Sequence, residues 1–154
     1  GANMEATQAM AKTRWMTRRD HEQVSWISSM CFVDPITEEE LKGLAGRYTG
    51  IVATNDDGEV IGFMIYELRH NRADLLAVAV LPWETRRGIG RMLVEGLKRR
   101  LVKSSRGVYA EVRESSLQAQ LFLKSLGFTA HGFDREHKSE PAVLMSYLIE
   151  KESL

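Results

Sequence analysis

A buried strand, a short glycine-containing loop and an amphipathic helix follow one another between Leu75 and Leu101, and they restrict the fold more than any other stretch. Residues 75–81 are all apolar and include two valines, which is typical of a strand covered on both faces. Pro82 predicts the end of that strand. Apolar residues then recur at helical spacing, with charged residues on the opposite side. The apolar stripe consists of Ile89, Leu93, Leu97 and Leu101.

Two glycines flanked by arginines lie where this helix begins. The first turn of a helix has N–H groups without intrahelical partners and carries the positive end of the helix dipole, and glycines let an anion come close to the backbone. The loop is therefore a candidate phosphate or pyrophosphate site. A basic helix start whose glycines allow tight packing remains the alternative. The loop consists of Arg86, Arg87, Gly88, Ile89, Gly90 and Arg91.

Three phosphate-binding patterns compete for this loop. A P-loop needs four residues between its glycines, followed by Gly-Lys-Ser/Thr, which this stretch does not provide. A dinucleotide fingerprint needs a small residue where Leu93 stands and glycines directly after the strand, whereas residues 82–87 intervene. The third pattern, Gln/Arg-x-x-Gly-x-Gly/Ala, resembles the acetyl-coenzyme A (acetyl-CoA) loop of the GNAT N-acetyltransferases. Its glycines match Gly88 and Gly90, and its first position is Thr85.

The predicted elements follow the order β-α-α-β-β-β-α-β-α-β-β, which gives a mixed, mostly antiparallel sheet of six to seven strands flanked by about four helices. This is also the order of the GNAT fold, so the resemblance covers roughly residues 12–150 and implies that α/β fold. The turn at residues 55–58, Asn-Asp-Asp-Gly, predicts a hairpin. The predicted strands span residues 13–17, 50–54, 60–68, 75–81, 107–112, 128–133 and 142–149.

Capping residues predict where three of the helices begin. Asp20 is the expected N-cap of the first helix. Capping-box patterns are found at Thr37-x-x-Glu40, for a helix that reaches about Gly46, and at Ser115-x-x-Gln118, for a helix that runs through Leu126.

Composition excludes several classes of function. The 154 residues suit one domain, which we expect at residues 12–150, after a flexible segment at 1–11 whose first three residues are typical of a cloning remnant. Lys plus Arg and Asp plus Glu both number 21, so no global charge attracts nucleic acid or an anionic membrane. A single cysteine excludes an internal disulfide, and no Cys/His cluster has metal-ligand spacing, so no metal is expected. No apolar run approaches ~20 residues, and we expect a cytoplasmic protein.

A second informative stretch spans residues 109–128. Residues 109–116 and 121–128 resemble the "LEVR-x-SN" and "LY-x-x-LGF" signatures of the GNAT branch that acetylates protein N-terminal amines, the RimI-like branch. In that branch the glutamate of EVR is assigned as general base and the tyrosine of LY as general acid. The glutamate matches Glu111, whereas Leu123 stands at the position of the tyrosine and Ser116 at that of the asparagine.

The resemblance also implies how a donor would bind. In the GNAT fold the exposed edge of the fourth strand pairs with the pantetheine amides as an extra strand would, which implicates the main chain of residues 78–80. Their side chains pack in the core at the same time. With the glycine loop and Ser116, the expected acetyl-CoA site therefore includes Val78, Ala79 and Val80.

Glu111 is the candidate catalytic base. An amine must be neutral when it attacks a thioester, so a carboxylate that accepts a proton suits this position. An ordinary carboxylate paired with Arg113 or Arg87 is the alternative. Cys31 is expected in a helix far from the glycine loop, which gives no support to an acyl-cysteine.

Other polar residues have two possible roles. Asp34 and residues 38–40 resemble in place the acceptor-binding region of the family, although a solvated helix start is also rich in carboxylates. Tyr66, Tyr109 and Tyr147 are predicted in strands, where tyrosines are more often packing residues than acids.

The resemblance implies an N-acetyltransferase that moves an acetyl group from acetyl-CoA directly to a primary amine. A protein or peptide N-terminus is the first expected acceptor, and a small amine such as a polyamine, an amino acid or an antibiotic is the second. A non-catalytic module that binds acetyl-CoA is the contrasting hypothesis, because Leu123, Thr85 and Ser116 depart from the family pattern. A monomer and a homodimer are both compatible with the sequence.

Overall fold

A seven-stranded sheet forms the centre of the computed structural model, which describes residues 11–101, 107–136 and 140–149. The expected flexible segment at 1–11 lies, apart from Ala11, outside the described residues. The strands are β1 (Lys12–Trp15), β2 (Thr49–Thr54), β3 (Val60–Leu68), β4 (Arg72–Val80), β5 (Gly107–Arg113), β6 (Thr129–Asp134) and β7 (Ala142–Tyr147). The helices are α1 (His21–Cys31), α2 (Glu38–Gly43), α3 (Ile89–Leu101) and α4 (Leu117–Ser125).

The strands are arranged in the order β1-β2-β3-β4-β5-β7-β6. β4 and β5 run parallel and are joined through α3, while the five other neighbouring pairs of described strands are antiparallel. The predicted order of elements and the mixed sheet are therefore confirmed. None of the helices that the structure describes combines the length and the apolar character needed to cross a membrane.

The hairpin between β2 and β3 forms where the sequence predicts it. The side-chain oxygen of Asn55 accepts hydrogen bonds from the backbone N–H groups of Asp57 and Glu59, both at 3.0 Å. Gly58 adopts a φ of 79°, which only glycine reaches without strain. The turn thereby fixes the pairing of two strands that form the middle of the core.

Helices cover both faces of the strands β2 to β4. The ring of Phe63 in β3 meets that of Phe32, just after α1, with centroids 6.4 Å apart. The neighbouring Met64 points the other way and lines a cavity together with Leu93 and Leu97 of α3. The four residues of the predicted α3 stripe are at most 4% exposed, so that helix packs as its spacing predicts.

Two of the predicted capping residues do not cap with their side chains. Asp20 occupies the N-cap position of α1, as predicted, but its carboxylate accepts hydrogen bonds from the backbone N–H of Thr17 at 2.7 Å and from both Nη atoms of Arg14 at 2.7 and 2.9 Å. The last helix starts one residue later than predicted, after Ser116, and the hydroxyl of Ser115 donates to Glu140 Oε1 at 2.7 Å. In both cases a partner outside the helix takes the side-chain group.

The predicted capping box of the second helix is confirmed. The backbone N–H of Glu40 donates to the Thr37 hydroxyl at 3.1 Å, and the Glu40 carboxylate accepts in return from Thr37. The helix ends at Gly43, three residues before the predicted Gly46. Its surface carboxylates at residues 38–40 are exposed.

The Asp20→Asn variant tests the buried ion pair that joins β1 to α1. The hydrogen bonds from Arg14 hold the pKa of this 5% exposed carboxyl below its ordinary value. The stabilisation is therefore complete above the unfolded-state pKa of about 3.9 and is lost as the pH falls through the lower folded-state pKa. We expect the variant to lower the free energy of unfolding by about 1–3 kcal/mol at neutral pH, and the difference from wild type to shrink in acid.

Urea denaturation at neutral pH and at a series of acidic pH values measures this difference. Asp56→Asn, in the exposed hairpin turn, is the matched control and should change the free energy little at any pH. If the free energy of unfolding of Asp20→Asn stays below that of wild type by the same amount in strong acid, the role of the ion pair is contradicted.

Candidate active site

The parallel strands β4 and β5 part halfway along their length. Their pairing runs from Arg72 opposite Gly107 to Leu75 opposite Ala110 and stops there. Beyond that point β4 continues along β3 and β5 continues along β7, through to Arg113. A wedge-shaped gap therefore opens in the middle of the sheet.

A β-bulge in β4 lies at the point where the strands part. Tyr66 of β3 faces Leu75, but the preceding Ile65 faces Ala77, so Leu76 is an additional residue without a partner on β3. Bulges bend a strand and interrupt its ladder. Leu76 is 51% exposed, which corrects the expectation that this strand is covered on both faces throughout.

The edge of β4 beyond the bulge presents main-chain groups to the gap. The N–H of Leu81, just after β4, donates to the carbonyl of Ile61 in β3 at 2.9 Å. Because main-chain groups alternate along a strand, those of Ala79 also face β3, while those of Val78 and Val80 face the gap. The side chains of these two valines are half-buried against the core, as expected. Of the three residues predicted to pair with the donor, Val78, Ala79 and Val80, only Ala79 has main-chain groups that point away from the gap.

The glycine loop closes one end of the gap. Gly88 has a φ of 73° and separates a short 3₁₀ turn, Pro82–Arg87, from the start of α3. A Cβ atom added to Gly88 would have no heavy atom within 4 Å, so the space in front of this residue is open. The first N–H groups of α3 lack intrahelical acceptors and adjoin this space. Exposed arginines surround it, namely Arg86, Arg87 and Arg91.

Gly90 has a packing role as well. A Cβ atom at this position would lie 3.2 Å from the ring of Phe122 in α4, so the glycine allows the two helices to approach closely. The hypothesis of glycines for tight packing therefore holds for Gly90, whereas Gly88 faces open space. Ile89 is 2% exposed and fixes the helix start in the core. Thr85, at the divergent first position of the pattern, donates its hydroxyl to the Pro82 carbonyl at 3.0 Å.

Glu111 lies on the opposite lip of the gap, one residue beyond the last β4–β5 pair, and its side chain is exposed. It shares one face of β5 with Tyr109 and Arg113, because alternate residues of a strand point to the same side. Arg113 forms ion pairs with Asp34 and, at 3.4 Å, with Glu140. Arg87 forms an ion pair with Glu84, with Nε 3.3 Å from Oε2. Both arginines that the sequence offers as partners for Glu111 thus have other carboxylates beside them.

Residues 31–34 cross the gap on the face that α1 covers, and we call them the strap. At one end the Cys31 thiol donates a hydrogen bond to the Val80 carbonyl of β4 at 3.4 Å. At the other end Asp34 pairs with Arg113 of β5. Cys31 is the last residue of α1, as expected in a helix, and this hydrogen bond places it beside β4. Burial raises the pKa of this thiol, which disfavours a thiolate nucleophile.

The three tyrosines of the strands and the residue at position 123 all have partners of their own. Leu123 itself is 5% exposed and packs in the core. Tyr66 is buried and accepts a hydrogen bond from Arg100 at 3.2 Å. The Tyr109 ring lies 6.0 Å from that of His131, and Lys98 lies 3.9 Å above the Tyr147 ring. All three have packing or hydrogen-bonding partners outside the gap.

Cavities are found away from the gap. Two cavities of about 270 and 210 Å³ are found between β2 and α3 and beneath α2. Within residues 11–101, 107–136 and 140–149, no three His, Cys, Asp or Glu side chains are grouped so as to hold a metal ion. Ser116, the other predicted donor residue, is half-buried at the start of α4, and its N–H donates to the Arg113 carbonyl at 3.0 Å.

Sequence reasoning missed the strap and Glu140 as parts of this site. No local pattern marks them, because Cys31 and Glu140 reach β4 and β5 across 49 and 27 residues of chain. The only available signal was the position of Asp34 between the first two helices.

Comparison with known proteins agrees with this geometry. The chain is 39% identical over 98 residues to the [ribosomal protein bS18]-alanine N-acetyltransferase of Salmonella typhimurium, a match that covers 61% of this chain and 64% of that enzyme. The chain therefore spans slightly less than two thirds of the relative it matches.

Solved structures share the fold over nearly the whole chain. The ribosomal-protein-S18-alanine N-acetyltransferase of Escherichia coli superposes with a TM-score of 0.81 at 27% identity, over 94% of this chain and 99% of that one. Arabidopsis thaliana Naa50 in complex with the bisubstrate analogue CoA-Ac-MVNAL superposes with a TM-score of 0.77 at 15% identity, over 89% and 97%. The family model described as acetyltransferase (GNAT) family matches residues 9–128. The chain belongs to the GNAT acetyltransferase family.

Proposed function

We propose that this chain transfers an acetyl group from acetyl-CoA to the N-terminal amine of a protein or peptide. The observation that carries the proposal is the gap between β4 and β5, with the glycine loop at one end and Glu111 on its far lip. A thioester carrier that is held at the loop and pairs with β4 has its acyl end beside Glu111. Membership of the GNAT family and the resemblance to the bS18-alanine acetyltransferase support this choice of reaction and acceptor.

The residues of the donor side fit a diphosphate and a chain of amides. The open space in front of Gly88, the free N–H groups of the first α3 turn and three exposed arginines suit an anion. The main-chain groups of Val78 and Val80 suit pantetheine amides. The Val80 carbonyl already accepts from Cys31, so a pantetheine N–H would share that oxygen.

The chemistry needs little from the protein beyond positioning and a base. Acetyl-CoA supplies an activated thioester, whose thiolate leaving group has a pKa of about 8.5 by analogy with cysteine, so water can reprotonate it. This explains how the reaction proceeds with Leu123 in the place of a general acid. Glu111 accepts a proton from the amine, directly or through a water. Transfer is direct, because the one thiol near the gap has a raised pKa and is hydrogen-bonded.

The acceptor side favours a cationic amine at the end of a polypeptide. Asp34 and Glu140 both pair with Arg113, and Glu111 lies on the same face of β5, so carboxylates outnumber the guanidinium there. The two alanine N-acetyltransferases that this chain resembles act on a ribosomal protein, as their names state, which supports a polypeptide acceptor. A small polyamine would find the same carboxylates, which is why both classes belong in the assay.

The Gly90→Glu variant tests the donor site. We expect coenzyme A affinity to fall more than ~100-fold, since the charge of the new carboxylate opposes the diphosphate and its side chain crowds the Phe122 ring beside the loop. Isothermal titration calorimetry with coenzyme A and acetyl-CoA measures the affinity. Gly96→Glu adds the same charge to the same helix at a position where a Cβ atom meets only the end of Arg99, at 3.8 Å, and should bind normally. Unchanged affinity in Gly90→Glu would refute the loop assignment.

The Glu111→Gln variant tests the catalytic base. We expect kcat to fall about 10²-fold or more with peptide acceptors, while coenzyme A affinity stays at the wild-type value. Release of free thiol reports turnover with peptides that begin with alanine, serine or methionine, and with spermidine.

Glu114→Gln, an exposed carboxylate just after β5, is the matched control and should keep wild-type kcat. Wild-type turnover in Glu111→Gln would remove this residue from the base role. Donor binding without turnover of any amine by the wild type would instead favour a non-catalytic module, and preference for spermidine over every peptide would favour the small-amine class.

A further inference from the structure

An exposed aromatic patch lies where α1 meets the turn after β4. We define it by Trp26 and Met30 of α1 and by Trp83 of the 3₁₀ turn. The two indole rings contact each other with centroids 6.0 Å apart and planes at 56°. Even so, Trp26 is 45% exposed, Met30 42% and Trp83 61%. Large apolar side chains that contact each other and still expose about half of their surface to solvent are typical of binding surfaces.

The segments that form the aromatic patch contain few charged residues. Residues 23–33 and 81–83 contain no Asp, Glu, Lys or Arg, although 27% of the chain is charged. The solvent side of a surface helix is normally where charged residues concentrate. In α1, Glu22 is the one exposed charged residue, and the exposed residues from Trp26 to Cys31 are uncharged, as in the core of an interface.

The aromatic patch lies beside the β4 lip of the gap, and the strap leads from there to the acceptor side. α1 ends at Cys31, which is hydrogen-bonded to Val80, three residues before Trp83. The strap then carries the chain across to Arg113, and its Val33 is 80% exposed. A molecule that lies along the strap from Glu111 thus passes from carboxylates onto apolar side chains.

Carboxylates followed by apolar side chains form a surface that suits a polypeptide better than a small amine. Carboxylates at the gap attract an ammonium group, and an apolar surface beyond them suits side chains attached to the same molecule. A small amine ends within the gap and cannot reach the patch. A polypeptide that enters by its N-terminus can reach both, because its chain extends about 3.3 Å per residue.

We propose that the aromatic patch docks apolar side chains of the acceptor polypeptide downstream of the amine that is acetylated. The proposal rests on the function proposed above and adds to it a preference for acceptors with large apolar residues beyond their first few positions. Tryptophan is enriched among the residues that dominate binding at interfaces, so the pair Trp26 and Trp83 should contribute most. The patch acts on affinity for the acceptor and has no part in the chemical step.

Three alanine-initiated peptides test this in the wild type. The first has about four residues and spans ~13 Å when extended, and the others have about sixteen residues and span ~50 Å. All share the first four residues. One long peptide continues with a tail containing leucine and tryptophan, and the other with a glycine-serine tail. We expect KM for the apolar tail to be about tenfold below that of the two other peptides, with equal kcat.

The double variant Trp26→Ser, Trp83→Ser removes the patch. We expect KM for the apolar-tailed peptide to rise about tenfold, to the value of the short peptide, while kcat and the KM of the short peptide stay unchanged. Trp15→Ser is the matched control, because Trp15 is 59% exposed on the opposite edge of the sheet, against Arg100. Coenzyme A affinity and circular dichroism verify that each variant is folded.

Distinct outcomes overturn the proposal. Equal KM values for the three peptides in the wild type would mean that the patch does not bind acceptors. An equal rise in KM for the short and the apolar-tailed peptides in the double variant would mean that the tryptophans support the fold of the gap instead. A wild-type dimer that the double variant dissociates would mean that a second copy covers the patch. Turnover of none of the three peptides with intact coenzyme A binding would refute the proposed acceptor class, and the inference with it.

Discussion

The parting of two parallel strands is the constraint on which the rest of the structure depends. Paired strands satisfy each other's main-chain groups, so a gap leaves donors and acceptors that need another partner. At β4 the bulge at Leu76 ends the pairing, and the edge formed by Val78 and Val80 faces the gap. The seven-stranded sheet thus lacks hydrogen bonds between β4 and β5 at its centre, and the free edge of β4 is available to a ligand.

The elements around the gap hold it open from outside. α3 and β3 fix one lip through the core, and β7 fixes the other by pairing with β5 as far as Arg113. The strap then ties the lips together across one face, through a thiol on β4 and an ion pair on β5. The width of the gap is therefore set by contacts that lie around it, and a ligand meets a preformed opening.

Local patterns predicted most of this architecture, and competing interactions explain where prediction failed. α3 and the β2–β3 hairpin were predictable because their signals lie within a single element or turn. Glu111 and the glycine loop were found through a family resemblance carried by short motifs. The bulge left no signal in an unbroken apolar run, and Asp20 and Ser115 found partners other than the ones their capping patterns predict. Each failure involves a contact that periodicity and capping rules do not describe.

Charges of opposite sign lie at the two ends of the gap. The chain as a whole is neutral, yet arginines cluster at the glycine loop and carboxylates at the other lip. Glu111 lies one residue beyond the last β4–β5 pair, level with Leu76, and from there to Val80 β4 extends ~13 Å at about 3.3 Å per residue, which exceeds the Debye length of about 8 Å in physiological salt. The two fields are thus screened from each other in solution. The two ends of the gap therefore carry opposite charge. One end can attract an anionic carrier and the other a cationic amine, and neither attraction weakens the other.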